Sequence, residues 1–284
     1  MKIGVNAFLW TAQFGPSTFS ILPRLREYGF DGFEIPVFDP AQVDARSIRK
    51  ELASNHLECT ICAILPPGLS AVEGDAQVRE KTQKHLARCI EFTAETGAKL
   101  MSGPVYAQVG YLPGRRRTTD EWYWAIECFH GLGPVLDSCG VSLAIEPLNR
   151  FETFFLNTAA DAAALCEAIG HPRIGVLLDT FHANIEEKSI PAACRQLGSH
   201  LLHVHACEND RGIPGTGHVD FPAIVDVLEE IGYTGYLTIE SFGFNLPEIA
   251  SAAAIWRDLA PSPEAIAKEG VAYLRSVISS RSQG

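Results

Sequence analysis

Glu146, Asp179, His205 and Glu240 offer three carboxylates and one imidazole, and each closes a short apolar run: Ser142-Leu-Ala-Ile-Glu146, Gly175-Val-Leu-Leu-Asp179, Leu201-Leu-His-Val-His205 and Tyr236-Leu-Thr-Ile-Glu240. Runs of this length and composition read as buried strands. Brought side by side by a parallel sheet, their carboxyl ends converge into a ligand set for a divalent cation. That donor set favours a hard six-coordinate ion, manganese first with cobalt or magnesium as alternatives, over tetrahedral zinc. An acidic residue after a strand often serves only as a helix N-cap. Glutamate is a poor cap, and two glutamates, an aspartate and a histidine on four consecutive strands exceed what capping alone produces.

Positioning these side chains requires a parallel sheet, and strand-like and helix-like segments alternate from end to end. The expected strands are Ile3–Phe8, Gly32–Pro36, Glu58–Leu65, Lys99–Pro104, Ser142–Pro147, Ile174–Asp179, Leu201–His205 and Tyr236–Ser241. Amphipathic stretches lie between them: Ile21–Tyr28, Ser47–Asn55, Val78–Thr96, Thr119–Ser138, Ala159–Ile169, Ser189–Leu197 and Phe221–Ile231. Glycines such as Gly29, Gly97, Gly140 and Gly232 stand where a left-handed residue would end a helix. Eight strand-helix units point to an α/β fold, a closed (β/α)8 TIM barrel, with one domain over residues 1–284 and its active site at the carboxyl ends of the strands. Alternating parity then puts Ser142, Ala144 and Glu146 on the inward face of their strand, and Gly175, Leu177 and Asp179 on the inward face of theirs, while Leu202 and Val204 face outward. His203 points inward below His205, as a core or supporting group rather than a ligand.

The chain has 284 residues, 46% of them hydrophobic, with a formal net charge of -11. That charge disfavours nucleic acid, whose affinity comes from clustered Lys and Arg. No apolar run is long enough to span a bilayer, so no membrane partner is expected. Met1–Phe8 reads as a first strand rather than a signal peptide, which places the protein in the cytoplasm. Eight scattered cysteines in a chain of this size read as reduced thiols. Cys59-Thr-Ile-Cys62 lies within a strand-like run, where residues three apart face opposite sides, so it is not a redox or metal pair. The one basic cluster is Arg115-Arg116-Arg117, read either as a solvated loop or as a phosphate-binding group.

The segments carrying the candidate ligands resemble the D-tagatose 3-epimerase (ketose 3-epimerase) family within the xylose-isomerase-like barrels. The resemblance lies in Glu146-Pro-Leu-Asn-Arg-Phe-Glu152 with Leu156-Asn-Thr158, Leu178-Asp-Thr-Phe-His-Ala-Asn-Ile-Glu-Glu187, and His203-Val-His205 with Glu208 and Arg211. It continues in Gly215-Thr-Gly217, Val219-Asp-Phe221, Ile239-Glu-Ser-Phe242 and Ala254-Ile-Trp-Arg-Asp258. It is detailed in the second half and mainly one of layout in the first. It implies metal ligation by Glu146, Asp179, His205 and Glu240, with Glu146 and Glu240 also the catalytic acid/base pair. Glu152, His182 and Arg211 would bind the sugar's oxygens. Two positions depart from the family pattern and would alter the substrate-choosing loops: Cys207, where glycine is usual, and Pro147, where an aliphatic residue is common.

The implied activity has its own physical logic. Inverting carbon 3 of a ketose means removing the proton next to the C2 carbonyl, passing through a cis-enediolate and returning a proton to the other face, which suits two opposed carboxylates. A cation at O2 and O3 would stabilise the developing charge. The expected partner is a small free sugar, and the expected assembly a homo-oligomer, dimer or tetramer. The pocket walls beyond the ligands are expected to be Phe8, Leu65, Pro66, Tyr106 and Phe242. Three other readings share the same residues: a sugar-phosphate isomerase or epimerase using the arginine cluster, an inosose dehydratase-like lyase, and a sugar-binding protein without catalysis.

Overall fold

The apolar runs form eight parallel strands: β1 (Lys2–Asn6), β2 (Gly32–Val37), β3 (Glu58–Ala63), β4 (Leu100–Gly103), β5 (Ser142–Ile145), β6 (Ile174–Asp179), β7 (Leu201–His205) and β8 (Tyr236–Ile239). Each pairs with the next and β8 pairs with β1, closing the barrel. This computed structural model describes residues 1–281.

Strand parity decides what each face can hold. Ile3 and Val5, Phe33 and Ile35, Leu143 and Ile145, Val176 and Leu178, and Leu237 and Ile239 are buried on the outward face, where helices cover them. Inward positions are small or polar, and Asn6, Glu34, Thr60, Ser102 and His203 meet in hydrogen bonds across the lumen. At the amino-terminal floor, the Tyr236 hydroxyl and the Lys2 ammonium both donate to Glu58. The Tyr236 ring lies so close to Gly32 that a Cβ there would come within 2.6 Å of it.

The covering helices are α1 (Leu22–Tyr28), α2 (Ala45–Ser54), α3 (Ala76–Thr96), α4 (Thr119–His130), α5 (Gly133–Cys139), α6 (Ala159–Ile169), α7 (Thr180–Glu186), α8 (Ile190–Leu197), α9 (Phe221–Glu230), α10 (Pro247–Ala252) and α11 (Pro263–Arg281). Gly29, Gly97 and Gly140 end α1, α3 and α5 with positive φ, as their places in the sequence suggest. The single amphipathic stretch expected over Thr119–Ser138 is two helices, because Pro134 enters at the second helical position of α5 and cannot continue the hydrogen-bond ladder of α4. An additional helix, α7, follows β6 directly, and α11, which no expected stretch covered, completes the eighth strand-helix unit by burying Ile266, Ala267, Val271 and Leu274 against β1 and β8.

Gly103 ends β4 with φ 129, and a Cβ there would lie 2.2 Å from the Ala63 carbonyl oxygen. Gly103→Ala is therefore expected to destabilise the fold by about 2 kcal/mol or more, since strain and a backbone clash coincide. Denaturant unfolding measures it; a change below about 0.5 kcal/mol, the range of a neutral surface substitution, would show that this approach is not tight.

Candidate active site

Glu146, Asp179, His205 and Glu240 come together at the carboxyl ends of β5 to β8, with one potential ligand atom from each lying within 4.8 Å of the others. All four are buried. Asp179 and His205 are partners in register, and the Glu146 amide donates to the Gly103 carbonyl at 3.1 Å, carrying the ladder one residue past β5. Asp179 divides its carboxylate: Oδ1 accepts from the Phe181 amide at 2.6 Å and caps α7, while Oδ2 faces the cluster. The capping role is thus real for one oxygen, while the other turns to the cluster and accepts from Arg211 at 2.8 Å.

His205 tests whether a cation suits this cluster. Its Nε2 bonds to Glu34 at 2.8 Å, while its buried Nδ1 has no hydrogen-bond partner. That nitrogen is 3.4 Å from Glu240 Oε2, 3.8 Å from Asp179 Oδ2 and 4.0 Å from Glu146 Oε1. A buried, unpartnered nitrogen among three carboxylates fits a divalent cation, which would take the place of its proton. Arg211 supplies one positive charge to the same three carboxylates, reaching Asp179 at 2.8 Å and Glu240 at 2.6 Å. One divalent ion would bring the four groups to neutrality.

Electrostatics separate the acids. Burial pushes the Glu146 carboxyl well above the usual range, reinforced by Glu240 and Asp179 against the opposing pull of His205. Asp179 is buried as well, yet Arg211 and His182 hold it well below its ordinary value. Burial opposes a charge on His205, but Glu240 and Glu34 raise it well above the usual imidazole value. Protons in this set are therefore shared among interacting groups.

A polar arm extends from the ligands. His182, on α7, is buried rather than exposed in a loop. The Asn149 backbone N–H and side-chain amide donate to its Nδ1 at 3.2 and 2.9 Å, and its Nε2 lies 3.8 Å from Glu146. The same Asn149 amide donates to Glu152 at 2.8 Å, tying Glu152 to the group. Arg211 Nη2 lies 3.2 Å from His182 Nε2, and the guanidinium packs between the rings of Phe181 (4.3 Å) and Phe242 (5.0 Å). Arg211 has φ 63, a conformation costly for a residue with a side chain, and its carbonyl accepts from Ser241 at 2.6 Å. The buried Glu208 carboxylate holds the loop carrying it through the amides of Asn209, Gly215 and Val219. Of the expected walls, Phe8 and Phe242 stack at 5.4 Å beside this arm.

Cys207 has a definite place. Its thiol donates to the Glu240 carbonyl at 3.1 Å and lies 3.0 Å from Arg211 Nη1, so it packs behind the arginine where glycine would leave room. Arg115 and Arg117 are engaged elsewhere: Arg115 makes a two-pronged contact with Glu121, and Arg117 with Asp161. Sequence reading missed Glu34, Asn6 and Asn149. Asn149 lay inside a quoted motif; the available signal for Glu34 was a lone acid at an inward position of an apolar strand.

A family model described as xylose isomerase-like TIM barrel matches residues 22–277. A "Probable ketose 3-epimerase" of Synechocystis sp. is 36% identical over 97% of this chain and 96% of its own length, and an L-ribulose 3-epimerase of Mesorhizobium japonicum is 34% identical over 96% and 93%. A solved L-ribulose 3-epimerase structure superposes with a TM-score of 0.92 at 33% identity, covering 99% of this chain and 96% of the other. The chain belongs to the ketose 3-epimerases of the xylose isomerase-like TIM barrel family.

Proposed function

We propose that this protein is a divalent-metal-dependent ketose 3-epimerase acting on free ketoses of the D-tagatose, D-psicose or L-ribulose type. The observation that carries the reading is the convergence of three carboxylates on the unpartnered Nδ1 of His205, beside the arm formed by Asn149, Glu152, His182 and Arg211. Glu146, Asp179, His205 and Glu240 would hold the cation, with manganese the best match to the donor set and cobalt or magnesium as alternatives. When bound, it supplies Lewis-acid stabilisation of the charge that develops on the sugar.

The chain's own groups do the rest. Glu146 and Glu240 serve the two faces of carbon 3: one takes the proton, the other returns one to the opposite side of the enediolate. Burial favours the protonated Glu146 carboxyl and a bound cation would favour the ionised one, so both forms of this group are accessible to the reaction. His182, Arg211 and Glu152 offer polar atoms to the sugar's oxygens. Phe8 and Phe242 limit water at the mouth. The reading includes a homo-oligomer, dimer or tetramer. It also includes a cytoplasmic setting, supported by eight unpaired cysteines.

The sugar-phosphate alternative loses support because Arg115 and Arg117 are already paired with carboxylates. The test is a panel of free and phosphorylated ketoses, with products separated as epimers, aldoses and dehydrated sugars. Free ketoses are expected to give 3-epimers, with phosphorylated ones poorer, and Arg115→Ala with Arg117→Ala to leave that ranking unchanged. Faster turnover of phosphates, abolished by the arginine substitutions, would replace this reading. A dehydrated product would make the enzyme a lyase.

A further inference from the structure

One layer below the three carboxylates of the cluster, the barrel buries a fourth, Glu34, with no exposure to solvent. It belongs to β2, on the far side of the lumen from β7, and reaches both histidines of that strand. Its Oε1 accepts from His205 Nε2 at 2.8 Å and Asn6 Nδ2 at 2.9 Å. Its Oε2 accepts from His203 Nε2 at 2.8 Å, Thr60 Oγ1 at 3.1 Å and Ser102 Oγ at 3.4 Å. Asn6 is itself oriented, because its Oδ1 accepts from the Phe8 amide at 2.9 Å and so turns Nδ2 toward Glu34. Glu34, His203 and His205 are close enough to hold a cation themselves. Five donors on two oxygens make them instead a hydrogen-bonded set, in which His203 Nδ1 is buried without a partner and without carboxylates around it like those at His205 Nδ1.

A neutral imidazole carries one proton, and the nitrogen opposite a hydrogen-bonded carboxylate is the one left with a lone pair. For His205 that nitrogen is Nδ1, which faces Glu146, Asp179 and Glu240 and has no other partner. We propose that Glu34 is a positioning residue for the cation site: by accepting the Nε2 proton of His205 it fixes the tautomer and ring angle that present Nδ1 for ligation. The inference rests on the cation centre proposed above. It assigns Glu34 no contact with the sugar.

The two ideas separate in one experiment, cobalt(II) titration of the metal-free protein against a competing chelator, with the visible spectrum recorded. The variants are Glu34→Ala, which removes the acceptor, and Glu34→Gln, which keeps an oxygen for His205 but not the charge. Wild-type protein is expected to bind cobalt(II), Glu34→Ala to lose about 100-fold in affinity and Glu34→Gln about tenfold, the range for groups that orient a ligand histidine. The cobalt spectrum should shift in both, while the metal-free melting temperature of Glu34→Gln stays within a few degrees of wild type. Wild-type affinity and spectrum in both variants would overturn the role of Glu34 and leave the cation centre standing. Affinity lost equally in both, in step with the metal-free melting temperature, would reduce Glu34 to a packing group. Failure of the wild type to bind cobalt(II) would sink both ideas. Should Glu34→Ala not fold, Glu34→Gln decides alone: a tenfold loss at unchanged metal-free melting supports the proposal, and wild-type affinity refutes it.

Discussion

Exhaustive removal of divalent cations is expected to abolish turnover and lower the melting temperature, and readdition of manganese, cobalt or magnesium to restore both. Glu146, Asp179 and Glu240 set three carboxylates around the unpartnered Nδ1 of His205, with Arg211 the neighbouring positive group. Without a cation, the mutual repulsion of the acids remains and no Lewis acid stabilises charge on the sugar. A ligand that binds only the folded state at a hundredfold excess over its dissociation constant adds about 2.7 kcal/mol of stability. Differential scanning calorimetry of metal-free and reloaded protein, paired with metal analysis and an epimerisation assay, reads both effects. Full turnover in protein shown to be metal-free would refute the cation's role.

Replacing either Glu146 or Glu240 by glutamine is expected to lower epimerisation by about 10²- to 10⁴-fold, the usual contribution of a general acid or base. Glutamine keeps the size and an oxygen for ligation while removing the ionisable group. The two losses should differ in kind. In deuterated water, a variant with one working carboxylate can still exchange the carbon-3 proton of the epimer that presents its hydrogen to that group. The complementary variant should exchange the opposite epimer. Such a crossed pattern is incompatible with one base serving both faces. Metal content must be measured alongside, since both residues are proposed ligands. Variants that keep their metal and interconvert the epimers at the wild-type rate would end the two-carboxylate mechanism.

The strand ends were legible because parity in a closed barrel leaves few choices: an apolar run ending in an acid or imidazole at an inward position has only the lumen's mouth to face. The arm formed by Glu152, His182 and Arg211 was legible only through resemblance, since its members come from an irregular loop, α7 and a loop residue with positive φ. Glu34 was hidden for another reason. It occupies the middle of β2 rather than its end, and its partners His203 and His205 stand 169 and 171 residues away. No local pattern announces a pairing that exists only once the barrel closes. The break between α4 and α5 turned on Pro134 alone, within a stretch whose apolar spacing reads as continuous. The helix of the eighth unit, α11, went unnamed because the short α10 and an irregular stretch separate it from β8.

The most direct test of the central claim is NMR of a free ketose, L-ribulose or D-psicose, incubated with manganese-loaded protein in deuterated water, with the manganese chelated before spectra are taken. Proton transfer through two exchangeable carboxyl groups predicts the 3-epimer as product, carrying solvent deuterium at carbon 3 and at no other carbon. An aldose with deuterium at carbon 1 or 2, a dehydrated sugar, or an epimer that never acquires deuterium at carbon 3 would contradict it.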